Sequence, residues 1–120
     1  MRYLLTIYSD ESRWATATPE DGTQLMAAYE AFGREAEAAG VLRGGEGLQP
    51  TATATTVRVR EGEPLLTDGP FAETREQLGG FYLVECENLD EAIRWAAKIP
   101  DASTGCVEVR PVMDYEGMQG

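Results

Sequence analysis

"RYLLTIY", Arg2 to Tyr8, is the stretch whose reading decides the fold. It is short, rich in β-formers, and closed by Ser9 and Asp10, so it reads as a strand. Alternate side chains of a strand face opposite ways, which puts Tyr3, Leu5 and Ile7 on one face and Leu4, Thr6 and Tyr8 on the other. Both faces are largely apolar. Such a strand needs cover on both sides.

Working outward, Thr18 to Asp21 match a capping box, with Pro19 at the first helical position, and predict a helix from about Pro19 to Ala39. Leu25, Ala28, Tyr29, Phe32, Ala36 and Ala39 recur at spacings of three and four and make one apolar stripe. Gly40 ends that helix, and Val41 and Leu42 close back over its last turn. Asn88 caps a second helix running through Ile99. Leu89, Ala92, Ile93, Ala96 and Ile99 share a face, Asp90, Glu91 and Lys98 suit the helix dipole, and Pro100 is the stop.

Between the helices, Gly44 to Thr51 ("GGEGLQPT") reads as an irregular loop with close backbone approaches. Ala52 to Arg60 ("ATATTVRVR") reads as a strand, and "EGEP" connects it as a hairpin to "PLLTD". After the turn at Asp68, Gly69 and Pro70, "AETREQL" suits one helical turn and Gly79 to Cys86 another strand. Gly105 to Val112 is the last strand, and the tail from Met113 to Gly120 is expected to be loose.

This order is α+β: a ferredoxin-like β-α-β-β-α-β pattern with an extra hairpin strand. The first strand is then central, flanked by the strand before the second helix and by the last strand. Two helices cover one face of such a sheet, yet Phe81, Tyr82, Leu83 and Val84 repeat the two-sided apolar pattern. A symmetric dimer stacking sheet on sheet is the economical expectation; long loops over the face of a monomer are the alternative.

A length of 120 residues suits one domain, 1–120, and 42% hydrophobic with 26% charged residues suits a folded chain. No run approaches the roughly 18 apolar residues of a membrane span, and the start lacks a secretory signal, so no membrane association and a cytoplasmic location are expected. A formal net charge of -11 repels phosphates and argues against direct nucleic-acid binding. There is no histidine, which excludes Ser-His-Asp triads, Cys-His pairs and His-based metal sites. Cys86 and Cys106 read as buried free thiols on opposite sides of the first strand. No GxGxxG opens a helix and no EF-hand spacing occurs, so no cofactor and no metal are expected.

Asp68 is the candidate catalytic residue, and it admits two readings. Asp before Gly-Pro is a favoured turn opener, its carboxylate bonding to nearby amides. A carboxylate at a strand end beside an apolar sheet also suits acid-base work or holding a ligand donor. Candidate ligand-binding residues are Glu46, either solvated or a second carboxylate of the site; Arg58, either in a cross-strand ion pair or orienting an anion; Phe71, either a plug of the core or dimer interface or a ligand platform; and Tyr82, either core or a donor into a cavity.

The segments from "GEGLQPTATATTVRVREGEPLLTDGPFAETREQLGGFYLVECENLDEAIRWAAKIP" to "GCVEVRPV", together with "YLLTIY", resemble the YCII-related family. The branch is the one named for its Asp-Gly-Pro-Phe motif, here Asp68 to Phe71 (the DGPF domain). The resemblance covers nearly the whole chain, and Arg75 replaces the lysine more usual after "AET". It implies a dimeric α+β barrel of two ferredoxin-like subunits, in a superfamily that includes small isomerases and monooxygenases. It also implies association with extracytoplasmic-function sigma factors. Some relatives carry a histidine and an aspartate proposed as a catalytic pair, which this chain without histidine cannot have.

Two functions from different classes follow. One is a small-molecule-binding protein or cofactor-free enzyme with a site in the dimer cleft near Asp68. The other is a non-catalytic regulatory module acting with a sigma factor.

Overall fold

The computed structural model describes residues 1–115. Strand β1 (Arg2–Ser9) leads through a 3-10 turn at Glu11–Ala15 into helix α1 (Pro19–Ala38). Asp21 N–H donates to Thr18 Oγ1 at 3.2 Å and Thr18 N–H donates to the Asp21 carboxylate at 2.9 Å, the reciprocal cap that the sequence predicts. Val41 N–H then donates to Ala36 O, folding the chain back over the end of the helix.

Strand β2 (Leu42–Gly47) follows where an irregular loop was expected. Glycine is a poor strand former on its own, but the segment pairs antiparallel with β5 (Gln77–Glu85), and Gly45 lies opposite Tyr82. A Cβ on Gly45 would stand 2.6 Å from Tyr82 Cδ1 and 2.7 Å from the Phe81 carbonyl oxygen, so only glycine fits so close an approach. The ladder supplies what propensity does not. β5 also begins earlier than expected, at Gln77, and residues 72–76 make no helical turn.

Among the described residues, strands β3 (Thr55–Arg60) and β4 (Glu63–Asp68) pair only with each other. Glu61 (φ 53°) and Gly62 (φ 79°) form the two-residue turn between them, with both residues in the left-handed region that a tight hairpin requires. Helix α2 (Leu89–Ala97) starts at Asn88, whose side chain accepts from Glu91 N–H at 3.0 Å, and ends before a 3-10 turn at Pro100–Ser103. Strand β6 (Cys106–Pro111) closes the chain. Of the tail expected to be loose, residues 116–120 lie outside the described residues.

The main sheet runs β2-β5-β1-β6, all neighbours antiparallel, with β1 central as the ferredoxin-like order requires. Tyr3, Leu5 and Ile7 are buried against Phe32 and Ala36 of α1 and Ala92 and Ala96 of α2, with Val41, Val84, Cys86 and Ile99 completing the core. Burying each large apolar side chain contributes about 1.5–3 kcal/mol. The opposite face, carrying Leu4, Thr6, Tyr8, Phe81 and Leu83, stays only half-buried. Cys86 is buried as expected, but Cys106 is exposed: pairing with Tyr8 places it on that uncovered face. Both thiols are free.

Candidate functional site

The candidate site arises from missing side chains. Gly47 pairs with Gly80, and Gly80 in turn with Ile7, so this corner of the sheet offers the helix layer almost no side-chain volume. The C-terminal half of α1 packs down through Phe32 and Ala36, whereas Leu25 and Tyr29, nearer its start, stand over the glycines. Between them lies a cavity of about 490 Å³, roofed at one side by Trp14 and Pro50 and bounded by Gln77, Tyr82 and Asp101. Its size falls within the range of small-molecule sites, roughly 300–1,000 Å³.

Aromatic contacts set the wall. The Tyr82 ring packs on Phe32 with centroids 4.8 Å apart and stacks on Tyr29 at 6.5 Å. Its hydroxyl has no hydrogen-bond partner among the described residues. Tyr29 Oη donates to Asp101 Oδ2 at 2.6 Å, tying α1 to the turn after α2. Burial, reinforced by that hydrogen bond to a carboxylate, pushes the Tyr29 phenol well above its ordinary range; burial alone pushes Tyr82 up. Both phenols therefore keep their protons at neutral pH.

The floor near the 3-10 turn is held by a relay. Gln77 Oε1 accepts from Glu11 N–H at 2.8 Å, its Nε2 donates to Thr74 O, and the Glu11 carboxylate accepts from Thr51 N–H at 2.8 Å and Thr51 Oγ1 at 2.7 Å. Through Glu11 these bonds fix the loop after β2 against the start of β5, beside the cavity. Asp10 caps the adjoining turn, and its hydrogen bonds from Ser12 pull its carboxyl below the usual range.

Of the residues singled out from the sequence, Tyr82 and Glu46 border this cavity. Strand alternation gives Glu46 the side of Phe81, its pairing partner, so its backbone borders the cavity while its carboxylate belongs to the uncovered sheet face. Asp68, Arg58 and Phe71 do not line it. Asp68 ends β4 opposite Thr55, exposed, and its carboxylate makes no hydrogen bond among the described residues. The bend there is held by backbone instead: Gly69 (φ 97°) donates its N–H to Ala54 O at 2.7 Å, and Thr56 Oγ1 donates to Gly69 O at 2.8 Å. Arg58 sits opposite Leu65 with no ion-pair partner among the described residues; the pair that forms is Arg110 with Glu108, two apart on β6. Phe71 is 79% exposed.

Tyr29, Asp101, Trp14, Glu11 and Gln77 escaped the sequence reading. Tyr29 passed as one member of the α1 stripe. The usable signal was the glycine run itself, because large helix side chains facing a strand without side chains leave unfilled volume. Among the described residues no group of three potential ligands is placed to hold a metal ion, and no helix is long and apolar enough to cross a membrane.

A protein of Rhizobium meliloti (strain 1021), itself uncharacterised, is 42% identical over 118 residues, spanning 97% of this chain and 95% of its own. The family model of the YCII-related domain matches residues 1–116. With the ferredoxin-like sheet and this near-complete match together, the chain belongs to the YCII-related domain family.

Proposed function

We propose that this protein binds a small organic molecule in the cavity between α1 and the β2–β5 corner. The observation that carries the reading is the unfilled volume over Gly47 and Gly80, walled by aromatic rings and provided with the Tyr29–Asp101 pair. An apolar enclosure with a few fixed polar groups is what small-molecule recognition requires. A Cβ on Gly47 would meet nothing within 4 Å. Gly47→Phe should therefore fill the cavity without disturbing β2. In a thermal-shift screen of small organic compounds, wild type gains stability with some of them, and Gly47→Phe keeps its fold but loses the gain. Stabilisation that survives in Gly47→Phe rules out this cavity as the site. A purely regulatory role, with a sigma factor as partner, fits instead if no compound stabilises the wild type and the partner co-purifies.

A second copy of the chain belongs to the same reading, favoured by the apolar surface left open. Leu4, Tyr8, Phe81 and Leu83 on the uncovered face, and Val57, Val59, Leu65 and Leu66 on the lone hairpin, are apolar and at least partly exposed. An isolated two-stranded ribbon is marginally stable in water, so the hairpin needs a surface to lie on. In this reading Asp68, Arg58 and Phe71 act at the contact between copies. Asp68→Asn then leaves ligand binding in the cavity intact; loss of binding with the dimer preserved would return Asp68 to the site. The two free cysteines suit a reducing, cytoplasmic setting.

A further inference from the structure

We infer that the cavity selects a cation: an ammonium group carried on an apolar, preferably aromatic, body. This rests on the binding reading above and adds the charge class of the ligand. Among the described residues the charged groups bordering the cavity are all acids, Glu11, Glu46 and Asp101, with no lysine or arginine in the lining. Glu46 contributes through its backbone, so Glu11 and Asp101 are the effective anions. Arg13 lines the adjoining hollow, with Asp21, rather than this cavity. Among the described residues neither anion has a cationic partner: the Glu11 carboxylate accepts from Thr51, and Asp101 from Tyr29 and Thr104.

Hydrogen-bond direction points the same way. Tyr29 gives its proton to Asp101, so its oxygen is left to the cavity as an acceptor. A ligand bringing N–H donors meets the Tyr29 oxygen and two carboxylates, whereas a carboxylate meets the same two anions, with only the neutral Tyr82 hydroxyl and Trp14 indole N–H as donors to set against them. Trp14, Tyr29 and Tyr82 line the cavity with aromatic rings, groups that attract an ammonium and pack on an aromatic body. The net charge of -11 raises the local concentration of cations around the molecule and repels anions at every approach.

Three probes of nearly one shape separate the possibilities: phenethylammonium, phenethyl alcohol and phenylacetate, titrated at neutral pH and low salt by calorimetry and by shifts of backbone amide resonances. Phenethylammonium should bind about tenfold or more tighter than either analogue, the factor expected of one charge-assisted contact. The resonances of Gly47 and Gly80 should move. In Asp101→Asn, which keeps an acceptor for the Tyr29 phenol, the preference should shrink while the alcohol binds as before. Glu11→Gln provides the same comparison should Asp101→Asn fail to fold. Phenylacetate or the alcohol binding as well as the ammonium overturns the charge class and leaves the cavity reading standing. An ammonium preference undiminished in both variants overturns the role given to the acids. Binding by none of the three overturns this inference, while the cavity reading stands or falls on the compound screen and Gly47→Phe.

Discussion

At the scale of single residues, the Tyr29–Asp101 hydrogen bond is the most informative contact, because it joins two elements across the candidate site. Tyr29→Phe removes the donor and leaves the carboxylate; the expected cost is about 1–2 kcal/mol at neutral pH. The same residue makes stability depend on alkali. A phenol whose folded pKa lies above its unfolded value of about 10 stabilises the fold fully below that value, and the contribution is lost as pH rises beyond it. Burial raises Tyr82 and the Cys86 thiol as well, so the wild type should weaken above about pH 9. Urea unfolding at neutral pH and at high pH should show a smaller alkaline loss in Tyr29→Phe; an equal loss would show that this phenol ionises freely in the native state. Leu5, fully buried between the sheet and the helices, is a purely structural counterpart, and Leu5→Ala should cost about 2–5 kcal/mol. The sequence marked both residues as core. For Tyr29 that was half the truth, since a tyrosine in an apolar stripe looks the same whether its hydroxyl meets a core partner or the wall of a hollow.

At the scale of elements, close backbone approach decides where the strands lie. A Cβ on Gly105 would sit 2.0 Å from the Tyr8 carbonyl oxygen and 3.0 Å from Ser9 Cα, atoms that cannot yield without shifting β1. Gly105→Ala should therefore cost about 3 kcal/mol or more, while Gly47→Ala, with open space at that point, should be close to neutral; chemical denaturation of the pair checks both. Thr18→Ala should cost about 1 kcal/mol through loss of the α1 cap. The helices were legible because their start and stop signals are local: Thr18, Pro19 and Asp21 act on amides within one turn, and so does Asn88. Strand β2 was not. Gly44, Gly45 and Gly47 carry no local preference for extension, and only pairing with β5 determines what they become.

At the scale of the whole molecule, the shape is flat and open. The radius of gyration is 16.7 Å, against about 14 Å for a compact chain of this length, and the principal extents are 52 × 46 × 18 Å. One sheet and one layer of helices account for the thinness, and the lone hairpin accounts for much of the spread. If a second copy covers the open face, sedimentation at micromolar concentration should give a dimer. Leu83→Glu, which puts charge on the uncovered face opposite Leu4, should shift it to monomer with the far-ultraviolet circular dichroism unchanged. Added salt should tighten the wild-type dimer by screening the repulsion between two chains of net charge -11. A wild type that sediments as a monomer at every concentration would mean the apolar face and hairpin are left for another partner.

The alternation in Arg2 to Tyr8, the two capped helices and the order of strands were enough to set the α+β class and the central place of β1, because each rests on interactions within a few residues or on periodicity. The cavity came only from tertiary structure. It exists because Gly47, Gly80, Tyr29 and Asp101, far apart in the chain, meet at one corner where glycines leave space that helix side chains do not fill. A hollow is a property of what fails to touch. No local pattern in the chain records that, whereas a cap or an apolar stripe is written in neighbouring residues.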